Sequence, residues 1–137
     1  PVHGVAPPAK ALSGKHLLVI EDEPLLALDL LTQLEEAGAT VVAPSAIGSG
    51  AEIIQNTPAD AALLDANLHG QPVDEMAAAL TRRRIPFVFV TGYGRESLPR
   101  AFGSVAVLAK PFNQHQLLEA CARLIKPNAD VVPFKEM

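Results

Sequence analysis

Five side chains in this sequence could do chemistry together: Glu21, Asp22, Asp65, Thr91 and Lys110. Each stands at the end of a short apolar run. Leu17-Leu18-Val19-Ile20 leads into Glu21-Asp22, Ala61-Ala62-Leu63-Leu64 into Asp65, Phe87-Val88-Phe89-Val90 into Thr91, and Val105-Ala106-Val107-Leu108-Ala109 into Lys110. Carboxylates brought close together repel by ~1–4 kcal/mol per pair at effective dielectrics between water and a protein surface. A hard divalent cation relieves that repulsion. Mg²⁺ in particular takes one or two carboxylates, keeps several waters and completes its shell with phosphate oxygens. A lysine and a hydroxyl add a charge and a hydrogen bond to the same oxygens. A carboxylate nucleophile, a cation, a hydroxyl and a lysine together suit phosphoryl transfer. Taken singly, each residue also has an ordinary reading. Asp65 could be a turn former, Glu21 and Asp22 the acidic start of a helix, Thr91 a turn residue and Lys110 a solvated lysine. Only their convergence separates the two readings.

The elements that must position them alternate along the chain. Strands are predicted over 15–20, 40–43, 59–64, 86–90 and 105–109, and helices over 24–37, 48–56, 73–83 and 114–125. Pro24 suits the first turn of the first helix, Gly38 its C-cap, and Asn113 the N-cap of the last. The first helix carries Leu28, Leu31 and Leu34 on one stripe, the second turns Ile53 and Ile54 inward, and the third buries Met76, Ala77 and Leu80. Residues 95–102 should be a fourth helix by position, but Pro99 restricts them to a short helix or one 3₁₀ turn. Strands spaced roughly 20–26 residues apart, each followed by a helical segment, indicate a parallel, doubly wound α/β sheet with five surrounding helices. In such a sheet ligands bind beyond the carboxyl ends of the strands, at the switch point of strand order. An order 2-1-3-4-5 would make the first and third strands neighbours there and bring Glu21, Asp22 and Asp65 together.

Composition narrows the function. The chain has 137 residues, about half of them apolar, which suits one domain with a full core. Residues 1–14 read as a flexible lead-in, 15–126 as the domain and 127–137 as a tail. A formal net charge of −4 argues against direct nucleic-acid binding. The basic cluster Arg82-Arg83-Arg84 reads as a helix end facing solvent. Cys121 is the only cysteine and falls on the face of Leu117 and Leu124, a buried apolar position compatible with a reducing cytoplasm. No apolar run is long enough for membrane insertion. His3, His16, His69 and His115 show no metal-ligand spacing.

The ordered set of motifs resembles the receiver domain of response regulators, the phosphoacceptor half of two-component signalling. Glu21-Asp22 matches the family's acidic pair, Asp65 its phosphorylated aspartate, Thr91 its hydroxyl position and Lys110-Pro111-Phe112 its Lys-Pro-Phe signature. The likeness covers about residues 15–126 and implies a flavodoxin-like fold. It implies that Asp65 takes a phosphoryl group from a phosphohistidine of a histidine kinase or histidine phosphotransferase. It further implies Mg²⁺ held by Asp22, by Glu21 through water, by Asp65 and by the Asn67 carbonyl. Thr91 and Lys110 would bind the phosphoryl oxygens, and Asn67 and Tyr93 would tune the phosphoryl lifetime. A cis Lys110–Pro111 peptide is expected on the same ground.

One position departs from the family. An aromatic usually stands three residues before the lysine; here it is Val107. The run Pro86-Phe87-Val88-Phe89-Val90-Thr91-Gly92-Tyr93-Gly94 instead resembles the FAT-GUY subgroup, so the loop 92–95 with Tyr93 is expected to carry the response. The alternative is a Mg²⁺-dependent aspartyl phosphatase of another α/β family, but the haloacid-dehalogenase pattern needs Asp-x-Asp where this chain has Glu21-Asp22-Glu23. A nucleotide binder of flavodoxin type would need a Gly-rich loop after the first strand. With Pro1 first and no effector-like segment after the last helix, both a stand-alone receiver and the C-terminal receiver of a hybrid histidine kinase are open, the fragment being favoured. The output partner is not legible.

Overall fold

Strands that are apolar on both faces need cover on both faces, and the chain supplies it with helices on either side of one parallel sheet. A computed structural model describes residues 12–43, 50–68, 73–92, 98, 100–102 and 104–125, apart from the side chains of residues 50 and 51. The strands are β1 (His16–Ile20), β2 (Thr40–Val42), β3 (Ala61–Asp65), β4 (Phe87–Thr91) and β5 (Val107–Ala109). All pair in parallel, in the order β2-β1-β3-β4-β5. β3 and β4 are buried at every residue, as their uninterrupted apolar runs require. β1 and β3 lie side by side, with Leu17 opposite Ala61 and Ile20 opposite Leu64, so the chain after Ile20 emerges beside Asp65.

The described helices are α1 (Pro24–Glu36), α2 (Gly50–Asn56), α3 (Val73–Arg82) and α4 (Gln114–Ile125). Between β4 and β5 the described residues hold one 3₁₀ turn, Arg100–Phe102. That turn fits a segment interrupted by Pro99; Pro99 itself and residues 93–97 lie outside the described residues.

Two cores result. Leu17, Val19, Ala61, Leu63, Val88, Val90 and Leu108 meet α1 and α4 on one face. Leu18, Ile20, Ala62, Leu64, Phe87 and Phe89 meet α2, α3 and the 3₁₀ turn on the other. Period-two alternation assigns the faces. Cys121 is buried in the first core at 0% exposure, and burial pushes its thiol up to about 12. Met76, Ala77 and Leu80 of α3 are buried as predicted, together with Ala79.

The buried stripe of α1 differs from the predicted one. Leu30 and Leu34 are buried, with Leu26 packed beside them, whereas Leu28 is 58% exposed and Leu31 only half-buried. Leu26, Leu30 and Leu34 are spaced i, i+4, i+8. With nearly every second residue apolar, the sequence supports either stripe, and the sheet's position selects one.

The termini of the helices follow their residues. Gly38, at φ 98°, ends α1: its N–H donates to the Glu35 carbonyl (2.9 Å) and the Ala39 N–H to the Leu34 carbonyl (3.1 Å). These are the paired bonds of a Schellman turn. A Cβ on Gly38 would lie 2.9 Å from Ser13 Cα. Asn113 caps α4 reciprocally, its Oδ1 accepting the Gln116 N–H (2.8 Å) while Gln116 Oε1 accepts the Asn113 N–H (2.9 Å). Arg83 does more than face solvent. Its guanidinium donates to the carbonyls of Ile54 (2.6 Å) and Gln55 (2.8 Å) at the end of α2. Leu12, within the lead-in by composition, is 1% exposed in the first core, and its N–H donates to the Ala37 carbonyl (2.9 Å).

Candidate functional site

The site forms where β1, β3 and β5 end. Alternation places residues 17, 19 and 21 of the first strand and residues 61, 63 and 65 of the third on the α1/α4 face. Glu21 and Asp65 therefore leave the sheet on the same side and meet. Both are 4% exposed. Asp22 turns beside them, and ligand atoms of Glu21, Asp22 and Asp65 lie within 4.8 Å of one another. Lys110 reaches in from the end of β5, its Nζ 3.9 Å from Glu21 Oε1 and 3.9 Å from Asp65 Oδ1. The Lys110–Pro111 peptide is cis.

Local hydrogen bonds orient the carboxylates. The Asn67 N–H donates to Asp65 Oδ1 (3.0 Å), an Asx turn that holds the carboxylate against the following loop. The Glu23 N–H donates to Glu21 Oε2 (3.0 Å). Glu21 Oε1 is buried with no hydrogen-bond partner. Burial chiefly, and then the Asp65 carboxylate alongside, push Glu21 up to about 7, against the opposing pull of the Glu23 N–H and of Lys110. A buried acceptor of this kind, in a cluster of hard oxygen donors, suits a small divalent cation. The residues present thus fit Mg²⁺.

These groups line an open cleft of about 570 Å³, together with Leu25, Leu26 and Asp29 of α1 and Asn67. The α1 residues were not legible as site residues. The one sequence signal is position: Leu25 stands two residues after Glu23 in the first turn of α1, and in the fold it is 76% exposed.

Thr91 does not line the cleft. Alternation with Phe87 and Phe89 puts it on the α2/α3 face, where it is 2% exposed. Its backbone is tied to the site, because its carbonyl accepts the Lys110 N–H (2.8 Å). The structure therefore brings Glu21, Asp22, Asp65, Asn67 and Lys110 together and sets Thr91 at the adjoining strand end, outside the cleft lining. Tyr93 and His69 lie outside the described residues. No histidine or cysteine joins the acidic cluster among the described residues, and none of their helices is long and apolar enough to cross a membrane.

Comparison with known proteins agrees with this geometry. The family described as "Response regulator receiver domain" matches residues 17–122. The transcriptional regulatory protein PdtaR of Mycobacterium tuberculosis is 29% identical over 117 residues, 82% of this chain. The chain spans 57% of that relative's length. A CheY-like receiver domain protein from Methanospirillum hungatei superposes with a TM-score of 0.73 at 24% identity, over 85% of this chain and 97% of that one. SdrG from Sphingomonas melonis is 36% identical, with a TM-score of 0.65, over 81% of this chain and 96% of that one.

Proposed function

The chain belongs to the response regulator receiver domain family of two-component signalling, and on that premise we propose that it accepts a phosphoryl group on Asp65 from a protein phosphohistidine, with Mg²⁺. The observation that carries this reading is the convergence of three carboxylates with Lys110, which stands 3.9 Å from both Glu21 and Asp65. Asp65 Oδ1 is engaged by the Asn67 N–H, which leaves Oδ2 to attack phosphorus. The new O–P bond forms as the P–N bond to the donor imidazole breaks, and the imidazole leaves with the electron pair. Glu21, Asp22, Asp65 and the Asn67 carbonyl would hold Mg²⁺, which when bound withdraws charge from the phosphoryl oxygens. Lys110 neutralises a further oxygen, and Thr91 donates a hydrogen bond to another once the end of β4 turns toward the cleft. Asn67 and Tyr93 set how readily water reaches the acyl phosphate.

A protein donor fits the rim better than a small phosphate ester, because Leu25 of α1, 76% exposed, presents apolar surface at the cleft. A histidine kinase or histidine phosphotransferase is thus the partner, in a reducing cytoplasm. The domain catalyses its own modification and turns over no small molecule. Val107, together with the Phe-Val-Thr-Gly-Tyr run at 89–93, supports membership of the FAT-GUY subgroup.

The test is labelling by acetyl phosphate with Mg²⁺. Wild type should take up one phosphoryl group and Asp65→Asn none. Labelling that persists in Asp65→Asn, or multiple turnover of p-nitrophenyl phosphate, would overturn the reading.

A further inference from the structure

The cleft carries more negative charge than its metal site can use. Five carboxylates line it, those of Glu21, Asp22, Glu23, Asp29 and Asp65, against one ammonium, that of Lys110. Glu21, Asp22 and Asp65 lie within 4.8 Å of one another, and a divalent cation together with Lys110 matches their charge. Glu23 and Asp29 stand outside that set, and they are not equivalent. Glu23 directly precedes α1, where the positive end of the helix dipole offsets a carboxylate. Asp29 lies in the second turn, past the reach of that effect. Among the residues that line the cleft, Asp29 is therefore the carboxylate with no opposing charge of its own.

Asp29 is also held in place. Gln33, one turn further along α1, donates its Nε2 to Asp29 Oδ2 (3.0 Å), an i, i+4 bond that keeps the carboxylate at the cleft rim. The other end of that amide is left wanting: Gln33 Oε1 is buried with no hydrogen-bond partner. Turning the amide over would set its oxygen against the Asp29 carboxylate, so Asp29 fixes its orientation. A buried carbonyl without a donor is a cost, and here it accompanies a bond whose effect is to position a charge at the entrance to the acceptor.

A fixed charge at the mouth of a water-filled cleft acts on whatever enters. Its repulsion doubles between a monoanion and a dianion, and it turns to attraction for a donor that carries positive charge beside its phosphoryl group. We propose that Asp29, positioned by Gln33, sets the class of phosphodonor: it favours a phosphohistidine set in a basic protein surface over small dianionic donors. This selectivity rests on the phosphoacceptor reading above. Asp29 is its specificity-determining residue, and Gln33 acts only through Asp29.

The experiment compares labelling of the 137-residue chain by acetyl phosphate, a dianion at neutral pH, and by phosphoramidate, whose nitrogen is protonated, each with saturating Mg²⁺. Both reactions form the bond from Asp65 Oδ2 to phosphorus. With acetyl phosphate the P–O bond breaks and acetate leaves with the electron pair. With phosphoramidate the P–N bond breaks and ammonia leaves with it. Asp29→Asn should raise the rate with acetyl phosphate about threefold at low ionic strength and the rate with phosphoramidate by less, so that the ratio of the two shifts. In about 1 M salt, where the screening length falls to ~3 Å, the ratios of wild type and variant should coincide. Gln33→Met keeps the charge but releases it, and should move the ratio the same way by a smaller amount. Glu35→Gln removes an equal charge from α1 outside the cleft and should leave the ratio as in wild type. An Asp29→Asn ratio equal to wild type, or a shift that persists at high salt, would overturn the proposal and leave the phosphoacceptor reading standing. If neither donor labels wild type at Asp65, both fail.

Discussion

The two faces of the sheet are built from the same strands and do different work. On the α1/α4 face the core is almost wholly aliphatic, the helices run 13 and 12 residues, and the strands end in Glu21, Asp65 and Lys110. On the α2/α3 face the described helices are shorter, the third covering element is a 3₁₀ turn, and the core holds three phenylalanine rings with Thr91 at its end. One residue of offset along a strand decides which face a side chain joins. Asp65 and Thr91 end neighbouring strands, and only Asp65 lines the cleft. Period-two alternation assigns these two strand-end residues to different faces of the sheet.

The largest test of this division lies in the aromatic face. Phe89→Ala removes a fully buried ring and should lower stability by ~3–5 kcal/mol, read as a drop in the urea midpoint. The acidic cleft should survive it: Mg²⁺ binding by the folded fraction should match wild type, since Phe89 does not line the cleft. Loss of Mg²⁺ affinity in folded Phe89→Ala would erase the distinction between the faces.

A smaller effect is expected at the turn that closes the α1 side. Gly38→Ala forces a Cβ onto a residue at φ 98° and against the Ser13 backbone at 2.9 Å. The cost should be roughly 1–3 kcal/mol, because alanine at positive φ loses more than it gains from a stiffer unfolded chain. Labelling of Asp65 should be unchanged. A stability equal to wild type would show that Ser13 and the turn yield freely.

The smallest effect concerns charge. Glu21 is raised to about 7 in the folded protein, above the usual carboxylate range near 4.5. Between these values the folded state holds a proton that the unfolded state has released, so metal-free stability falls as pH rises from about 4.5 to about 7. It levels off above that window. Glu21→Gln should flatten this slope and raise metal-free stability near pH 8 by on the order of 1 kcal/mol, through removal of a buried charge beside Asp65. Mg²⁺ should stabilise wild type at that pH and the variant less. A pH profile identical in the two proteins would mean that Glu21 does not carry the proton.

Much of this was legible before any coordinates. Strand ends are marked in sequence because apolar runs stop at the residue that leaves the sheet. Glu21, Asp22, Asp65, Thr91 and Lys110 were therefore found by position as well as by type. Gly38 and Asn113 were legible for a similar local reason, since caps depend on backbone within a turn. The stripe of α1 was not. Leu28 and Leu30 have the same chemistry, and only the sheet beneath α1 decides which of them is buried. Arg83 has the sequence marks of a solvated helix end, because its partners at the end of α2 are distant in sequence. The burial of Leu12 has no sequence mark, because a single apolar residue in a Pro- and Ala-rich stretch has no period.

The division is one of range. By itself the sequence determined the parallel α/β class, the residue types at the strand ends and the family those residues belong to, since each is a local pattern or an ordered set. The tertiary structure alone decided which carboxylates meet, that Lys110 stands equally close to Glu21 and Asp65, and that Thr91 is not among the residues lining the cleft. It also placed the Phe102 ring 6.5 Å from that of Phe89. Those facts depend on register and on packing between distant segments, and no residue carries either in its own type.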